Sequence, residues 1–211
     1  MNASTAAPPR AELVRRARAL AWFTVVWNAA EGVVGIALGI AAGSIALVGF
    51  GADSFVEVFA GSVILWRLRQ KRRGGDVSAT AERRAVKLIA VTFVLLAVGV
   101  AIESVRDLIS RAAPDESLPG IVLAMVSLVV MPVLARAKRR VRRQLGSRAV
   151  EADATETSLC VWLSAILVVG LGLNALFGWW WADPVAALGI VYVAAREGVE
   201  NWTADDVDAC C

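Results

Sequence analysis

Asp53 and Glu57 stand one helical turn apart in an otherwise apolar run, Ser44 to Trp66. A carboxylate ionised at the centre of a bilayer costs about 2.5–3.5 kcal/mol on insertion scales, so acids in such a run are candidates for function. Positions i and i+4 share one helix face, and both carboxylates can reach the same bound cation. The competing reading is a pair of protonated acids bonded to neighbouring helices. A second stretch repeats the arrangement: Gly43-Ser44-Ile45-Ala46-Leu47 is echoed by Gly146-Ser147-Arg148-Ala149-Val150. Aligning the two serines sets Asp53 against Glu156 and Glu57 against Cys160, again an i, i+4 pair of metal-competent side chains. Chance similarity among Gly, Ser and Ala competes with this reading, although internal similarity between membrane segments is a pointer to a transport site between them.

Asp53, Glu57, Glu156 and Cys160 together supply the four ligands that tetrahedral zinc prefers. If the two runs cross in opposite directions, nine residues from each serine bring Asp53 and Glu156 about 14 Å into a layer about 30 Å thick. The two pairs then meet near the midplane. A thiolate among the ligands argues against magnesium or calcium, and leaves zinc first, with iron(II), manganese, cobalt and cadmium behind it. The chain has no histidine, the usual ligand for such metals. Cys160 can equally be a small core residue, the common fate of a buried cysteine. Because metal ligands must be deprotonated, a cation entering the cluster displaces protons, which makes proton-for-metal exchange the natural driving reaction. Asn28, Glu31 and Asp153 are expected along the access route or in support of the ligands, with interhelical hydrogen bonds or a loop arginine as their alternative partners.

The elements that must position these groups are membrane helices. The 211 residues are 58% apolar with a mean hydropathy of +0.63, too high for an ordinary soluble chain. Six runs are long enough to cross as helices: about Leu20–Ile40, Ser44–Trp66, Val86–Val105, Leu118–Ala137, Ala149–Trp179 and Pro184–Val199. The last is shortened by Arg196, Glu197 and Glu200, and its alternative is an interfacial helix. Asp183-Pro184 reads as its start, with Asp as N-cap and Pro at the first helical position. Trp179, Trp180 and Trp181 fit an interfacial aromatic belt. Gly32, Gly35 and Gly39 give the first run a small-residue face for close helix contact. Of the Lys and Arg residues, 20 fall before the first run, between the second and third, between the fourth and fifth, or at the end of the sixth, while only Arg106 and Arg111 fall in the alternate loops. Six crossings with both termini cytoplasmic satisfy that bias.

The expected fold is therefore an all-α membrane protein, a six-helix bundle. Residues 1–18 are read as a disordered basic segment, 19–200 as the transmembrane domain and 201–211 as a short acidic tail, with no soluble C-terminal domain. The net charge of +3 and pI near 9.0 follow from topology and anionic lipid. Nucleic acid is excluded as a partner, since the basic loops lack interleaved aromatics. Three cysteines make no disulfide framework: Cys160 is in the fifth run, and Cys210 and Cys211 end the sequence. No organic cofactor is called for. The partners are a metal ion, protons and the bilayer of a plasma (inner) membrane, and a homodimer is compatible with the sequence.

Taken together, these residues resemble the cation diffusion facilitator family across most of the membrane portion. The resemblance is carried by Trp27-Asn28-Ala29-Ala30-Glu31-Gly32, by Gly43-Ser44-Ile45-Ala46-Leu47 leading to Asp53-Ser54-Phe55-Val56-Glu57, by Gly146 to Asp153, and by Trp181-Ala182-Asp183-Pro184. It implies six helices that move a zinc-type cation against protons, through a site built from a pair on helix 2 and a pair on helix 5. Matched by motif, that site is Asp53, Glu57, Glu156 and Cys160. Members usually carry His or Asp followed by Asp on helix 5, where this chain has Glu156 and Cys160, and they carry a cytosolic metal-sensing domain. The expected function is divalent metal transport, a proton-coupled efflux from the cytoplasm. The alternative is a membrane sensor or scaffold that binds metal without moving it. An intramembrane hydrolase ranks last, since there is neither a histidine-based triad nor a histidine metal motif.

Overall fold

The computed structural model describes residues 10–72, 79–112, 114–145 and 148–203. They form six helices: α1 (Arg10–Ala42), α2 (Ile45–Arg72), α3 (Ala79–Ser110), α4 (Leu118–Leu145), α5 (Arg148–Phe177) and α6 (Ala182–Thr203). Among the described residues there is no strand. Helix α1 starts earlier than the hydropathy suggests. Residues 10–18, expected in a disordered segment, form its first turns, because Arg, Ala, Leu and Glu are all strong helix formers whether or not lipid surrounds them. Residues 1–9 and 204–211, with the terminal Cys pair, lie outside the described residues, as do Gly146 and Ser147 of the internal echo.

Among the described residues, four stretches are long and apolar enough to cross a bilayer: Ala11–Ala42, Ile45–Val63, Leu118–Val141 and Cys160–Phe177. The polarity of the molecule is inverted relative to a soluble bundle. Trp22, Val33, Leu95, Ile102, Val129 and Trp162 point outward, while Asn28, Glu31, Asp53, Ser54, Glu57 and Lys138 are buried. Apolar side chains face lipid and polar ones are confined to the interior, the only arrangement that the hydrocarbon layer tolerates. The chain is a multi-pass integral membrane protein.

Helix α2 is the hub. It packs most closely on α1 and also touches α3, α5 and α6; α3 pairs with α6, and α4 with α5. The α1–α2 turn is tight because Gly43 adopts a left-handed conformation (φ 64°), which ends α1 as glycine at that position commonly does. Glycines then bring the two helices into backbone contact. A Cβ added at Gly51 would lie 2.7 Å from the Ile36 nitrogen and 3.0 Å from the Gly32 oxygen, and one at Gly35 would lie 3.1 Å from the Gly51 Cα. The small-residue face expected on α1 is thus the seam with α2.

Asp183 departs from its expected role. Its carboxylate does not cap α6. It reaches α2, where Oδ1 accepts from Ser44 Oγ at 2.5 Å and Oδ2 accepts from the Ala46 amide at 3.3 Å. Ser44 Oγ in turn accepts from the Leu47 amide at 3.1 Å. The first turn of α2 offers unsatisfied N–H groups and the positive end of the helix dipole, so a neighbouring carboxylate is drawn there. Asn174, without an assignable partner in the sequence, donates to the Pro114 carbonyl at 3.1 Å. A core of Leu47, Phe50, Met131, Leu163, Leu167 and Ile190 fills the space between α2, α4, α5 and α6.

Candidate metal centre

Three of the four expected ligands converge. One carboxylate oxygen from Asp53, one from Glu57 and the Cys160 sulfur all lie within 4.8 Å of one another. All three residues are buried, with exposures of 3%, 6% and 1%. Asp53 and Glu57 meet because they are one turn apart on α2; Cys160 joins them because α5 packs across that face of α2. Glu156 and Asp153 lie on α5, and their side chains fall outside the described residues. Two oxygens and one sulfur suit a borderline or soft divalent cation better than magnesium or calcium.

The carboxylates are held from α1. Asn28 Nδ2 donates to Glu57 Oε2 at 2.6 Å, a charge-assisted bond that fixes the rotamer of the acid. Ser54 Oγ donates to Glu31 Oε2 at 3.2 Å, so Glu31 is tied to the residue that follows Asp53. Of the two α1 residues, Asn28 thus bonds a candidate ligand and Glu31 bonds α2.

Two charged groups that the sequence reads as peripheral are buried. Glu197, counted only as shortening the last apolar run, is buried. Its signal was spacing: Ala187, Ile190, Ala194 and Glu197 form one buried stripe of α6, the three- and four-residue rhythm of an inward face. Lys138, expected in a loop, sits on α4 at 1% exposure and donates from Nζ to Thr157 Oγ1 at 2.9 Å. Beside it, Arg139 Nη2 donates to Ser158 Oγ at 2.7 Å. Together these bonds clamp α4 to α5 one turn before Cys160.

Comparison with known proteins decides the family. The sequence profile of the cation efflux transmembrane domain matches residues 21–201. The chain belongs to the cation efflux family. Among curated relatives of this cation efflux chain, an uncharacterised transporter of Synechocystis is 29% identical over 170 residues, covering 77% of this chain and 55% of the relative. The cation-efflux pump FieF of Citrobacter koseri is 30% identical over 167 residues, with 75% and 55% coverage. FieF of Salmonella typhi is 28% identical over 165 residues, again with 75% and 55% coverage. The chain spans about 55% of the length of these relatives. The cation efflux family is one of transporters, not of enzymes, and this places Asp53, Glu57 and Cys160 in the membrane domain that gives the family its name.

Proposed function

We propose that the chain is a divalent metal-cation transporter, with zinc as the leading substrate, that exchanges the cation for protons and exports it from the cytoplasm across the inner membrane. The observation that carries this reading is the buried meeting of Asp53, Glu57 and Cys160 between α2 and α5. Glu156 completes the set as fourth ligand, from the same face of α5 as Cys160. A site assembled from opposed helices can be opened to either side by a small relative rotation, as alternating access requires. Six crossings with both termini inside put the basic residues at the ends of α2, α3, α4 and α5 that meet at the α2–α3 and α4–α5 junctions on the cytoplasmic side. The names of the FieF relatives support efflux as the direction.

Proton exchange follows from the ligand chemistry. A carboxylate or thiol that takes up a cation must first give up any proton it holds. Binding therefore tightens as pH rises, and a pH gradient acid on the receiving side drives export. The test is Zn2+ flux in proteoliposomes, with an indicator dye inside and a pH electrode outside. Wild type should show flux with opposed proton movement, and Asp53→Asn and Glu57→Gln should abolish both while retaining helical circular dichroism. Stoichiometric Zn2+ binding by wild type with no flux would replace the transporter by a metal-binding sensor or scaffold.

A further inference from the structure

The first turns of α1 and the last turns of α4 lie side by side. Ala17 packs on Val141, with Leu20 against them. Farther along, a Cβ added at Gly35 would lie 3.7 Å from Leu123 Cδ2. Ala17 to Gly35 and Val141 back to Leu123 are equal intervals, so the two helices run antiparallel in a constant register. That register sets Arg18 level with Arg140 and Arg15 level with Arg143. With Arg16 and Arg139, these guanidinium groups stand within about 6 Å of height. The one acid in residues 10–20 and 134–145 is Glu12, bonded to Arg16 at 2.5 Å. Like charges crowded at one depth repel each other until an anion joins them.

We propose that the outward-facing groove between α1 and α4 binds an anionic phospholipid, its phosphate clamped between Arg16 and Arg140 and its acyl chains laid along the groove. Arg16, Phe23 and Ala30 fall seven apart on α1, and Val126, Val133 and Arg140 fall seven apart on α4. Residues at that spacing drift only about 20° per step, so each set forms one stripe. All of these residues are exposed. On α1 the stripe lies away from the glycine seam with α2. On α4 it lies away from Lys138 and Arg139, which bond α5. Because the helices are antiparallel, both stripes turn to the same side of the α1–α4 seam. Each has an arginine at the end that the charge bias makes cytoplasmic and apolar groups deeper in. That is the order of a phospholipid from headgroup to tail.

Depth fits the headgroup. The apolar run of α1 begins near Leu20, so Arg16 stands about 6 Å beyond it and Arg140 about 3 Å. The headgroup layer extends about 5–7 Å on each face of the hydrocarbon. Packed helices have axes about 8–10 Å apart, a gap that two arginine side chains close around one phosphate. Arg16 spends Nη2 on Glu12 and keeps other N–H groups, since a guanidinium carries several donors in a fork. Arginine pairs with phosphate through two parallel bonds. The surrounding charge then selects the headgroup. Choline or ethanolamine would bring a cation beside Arg15, Arg18 and Arg143, whereas glycerol brings none. Free phosphate would satisfy the arginines but leave Phe23 and Val133, 49% and 61% exposed, uncovered, so the occupant is the lipid.

The probe is dioleoyl phosphatidylglycerol, titrated into the purified full chain in neutral detergent and counted by native mass spectrometry. Dioleoyl phosphatidylcholine and water-soluble glycerol phosphate are the comparison arms. Wild type should retain about one phosphatidylglycerol per chain, in preference to phosphatidylcholine. The Arg16→Gln, Arg140→Gln double variant should bind it roughly 10-fold or more weakly. Arg69→Gln, Arg196→Gln removes equal charge from α2 and α6 and should bind as wild type does. Val133→Trp keeps every charge, fills the groove and should also weaken binding. Equal retention of phosphatidylcholine overturns the proposal, as does equal loss in the two arginine pairs, which would mean a diffuse attraction. Displacement of the lipid by an equal concentration of glycerol phosphate overturns it too, leaving a site for a soluble anion. If the Arg16, Arg140 variant does not fold, unchanged lipid affinity in Val133→Trp overturns it instead.

Discussion

Asn28 on α1 donates its amide hydrogen to Glu57 on α2 at 2.6 Å, with both side chains buried. The bond spans the tightest helix pair among the described residues, and it holds one carboxylate of the candidate centre in position. Replacing Asn28 by Leu keeps the volume and removes the donor. Cation affinity should fall roughly 10–100-fold, the usual effect of losing a group that orients a ligand. Competition against a zinc-chelating dye measures it; an affinity equal to wild type would mean that Glu57 needs no orienting partner.

Cys160 sets the preference among metals. A thiolate favours zinc and cadmium over manganese, and a hydroxyl does not. Cys160→Ser should therefore lower the ratio of Cd2+ to Mn2+ affinity, and Cys160→Asp should lower it further while restoring overall binding. Titration of the three proteins with both metals reads the ratio directly. A ratio that stays constant places the sulfur outside the ligand set.

Gly51 is where α1 and α2 come closest. A methyl group there meets backbone atoms of Ile36 and Gly32 that cannot swing away. Gly51→Ala should cost about 1–3 kcal/mol, as overpacking of a filled interior does, and should lower the thermal midpoint in detergent. Gly99 on α3 is the control, since a Cβ there meets nothing within 4 Å. Gly99→Ala should leave the midpoint unchanged or raise it slightly, because alanine is the better helix former.

Ser44 and Asp183 join the start of α2 to the first turn of α6. Ser44→Ala removes both this bond and the cap on the Leu47 amide, at a cost of about 0.5–2 kcal/mol. Asp183→Asn removes a charged acceptor, worth about 1.5–3 kcal/mol. The double variant should be less destabilised than the sum of the two, as for any pair sharing one network. Strict additivity in thermal unfolding would show that the two side chains do not act together.

Much of the architecture is written locally. Apolar length and the run of helix-forming residues produce each helix almost independently of the others, so all six elements are legible one at a time. The Asp53–Glu57 pair is likewise local, since four residues of α-helix always return to the same face. The Gly32, Gly35 and Gly39 face is legible for the same reason. The start of α1 at Arg10 was missed because hydropathy reports where lipid begins, whereas helix propensity continues into the charged residues before it.

The remaining facts are long-range. The internal echo suggests that Cys160 should meet Asp53 and Glu57, but their contact exists only because α5 crosses α2 at that height. The sequence marks Glu197 as a charge in a weak helix and Lys138 as one of many loop cations; packing buries both. Asp183 has a local partner available at its own helix end and takes α2 instead. Periodicity fixes the direction in which a side chain leaves its own helix. What it meets depends on the rotation and height at which another helix arrives, and those are set by the glycine seam, the α4–α5 clamp and the shared core.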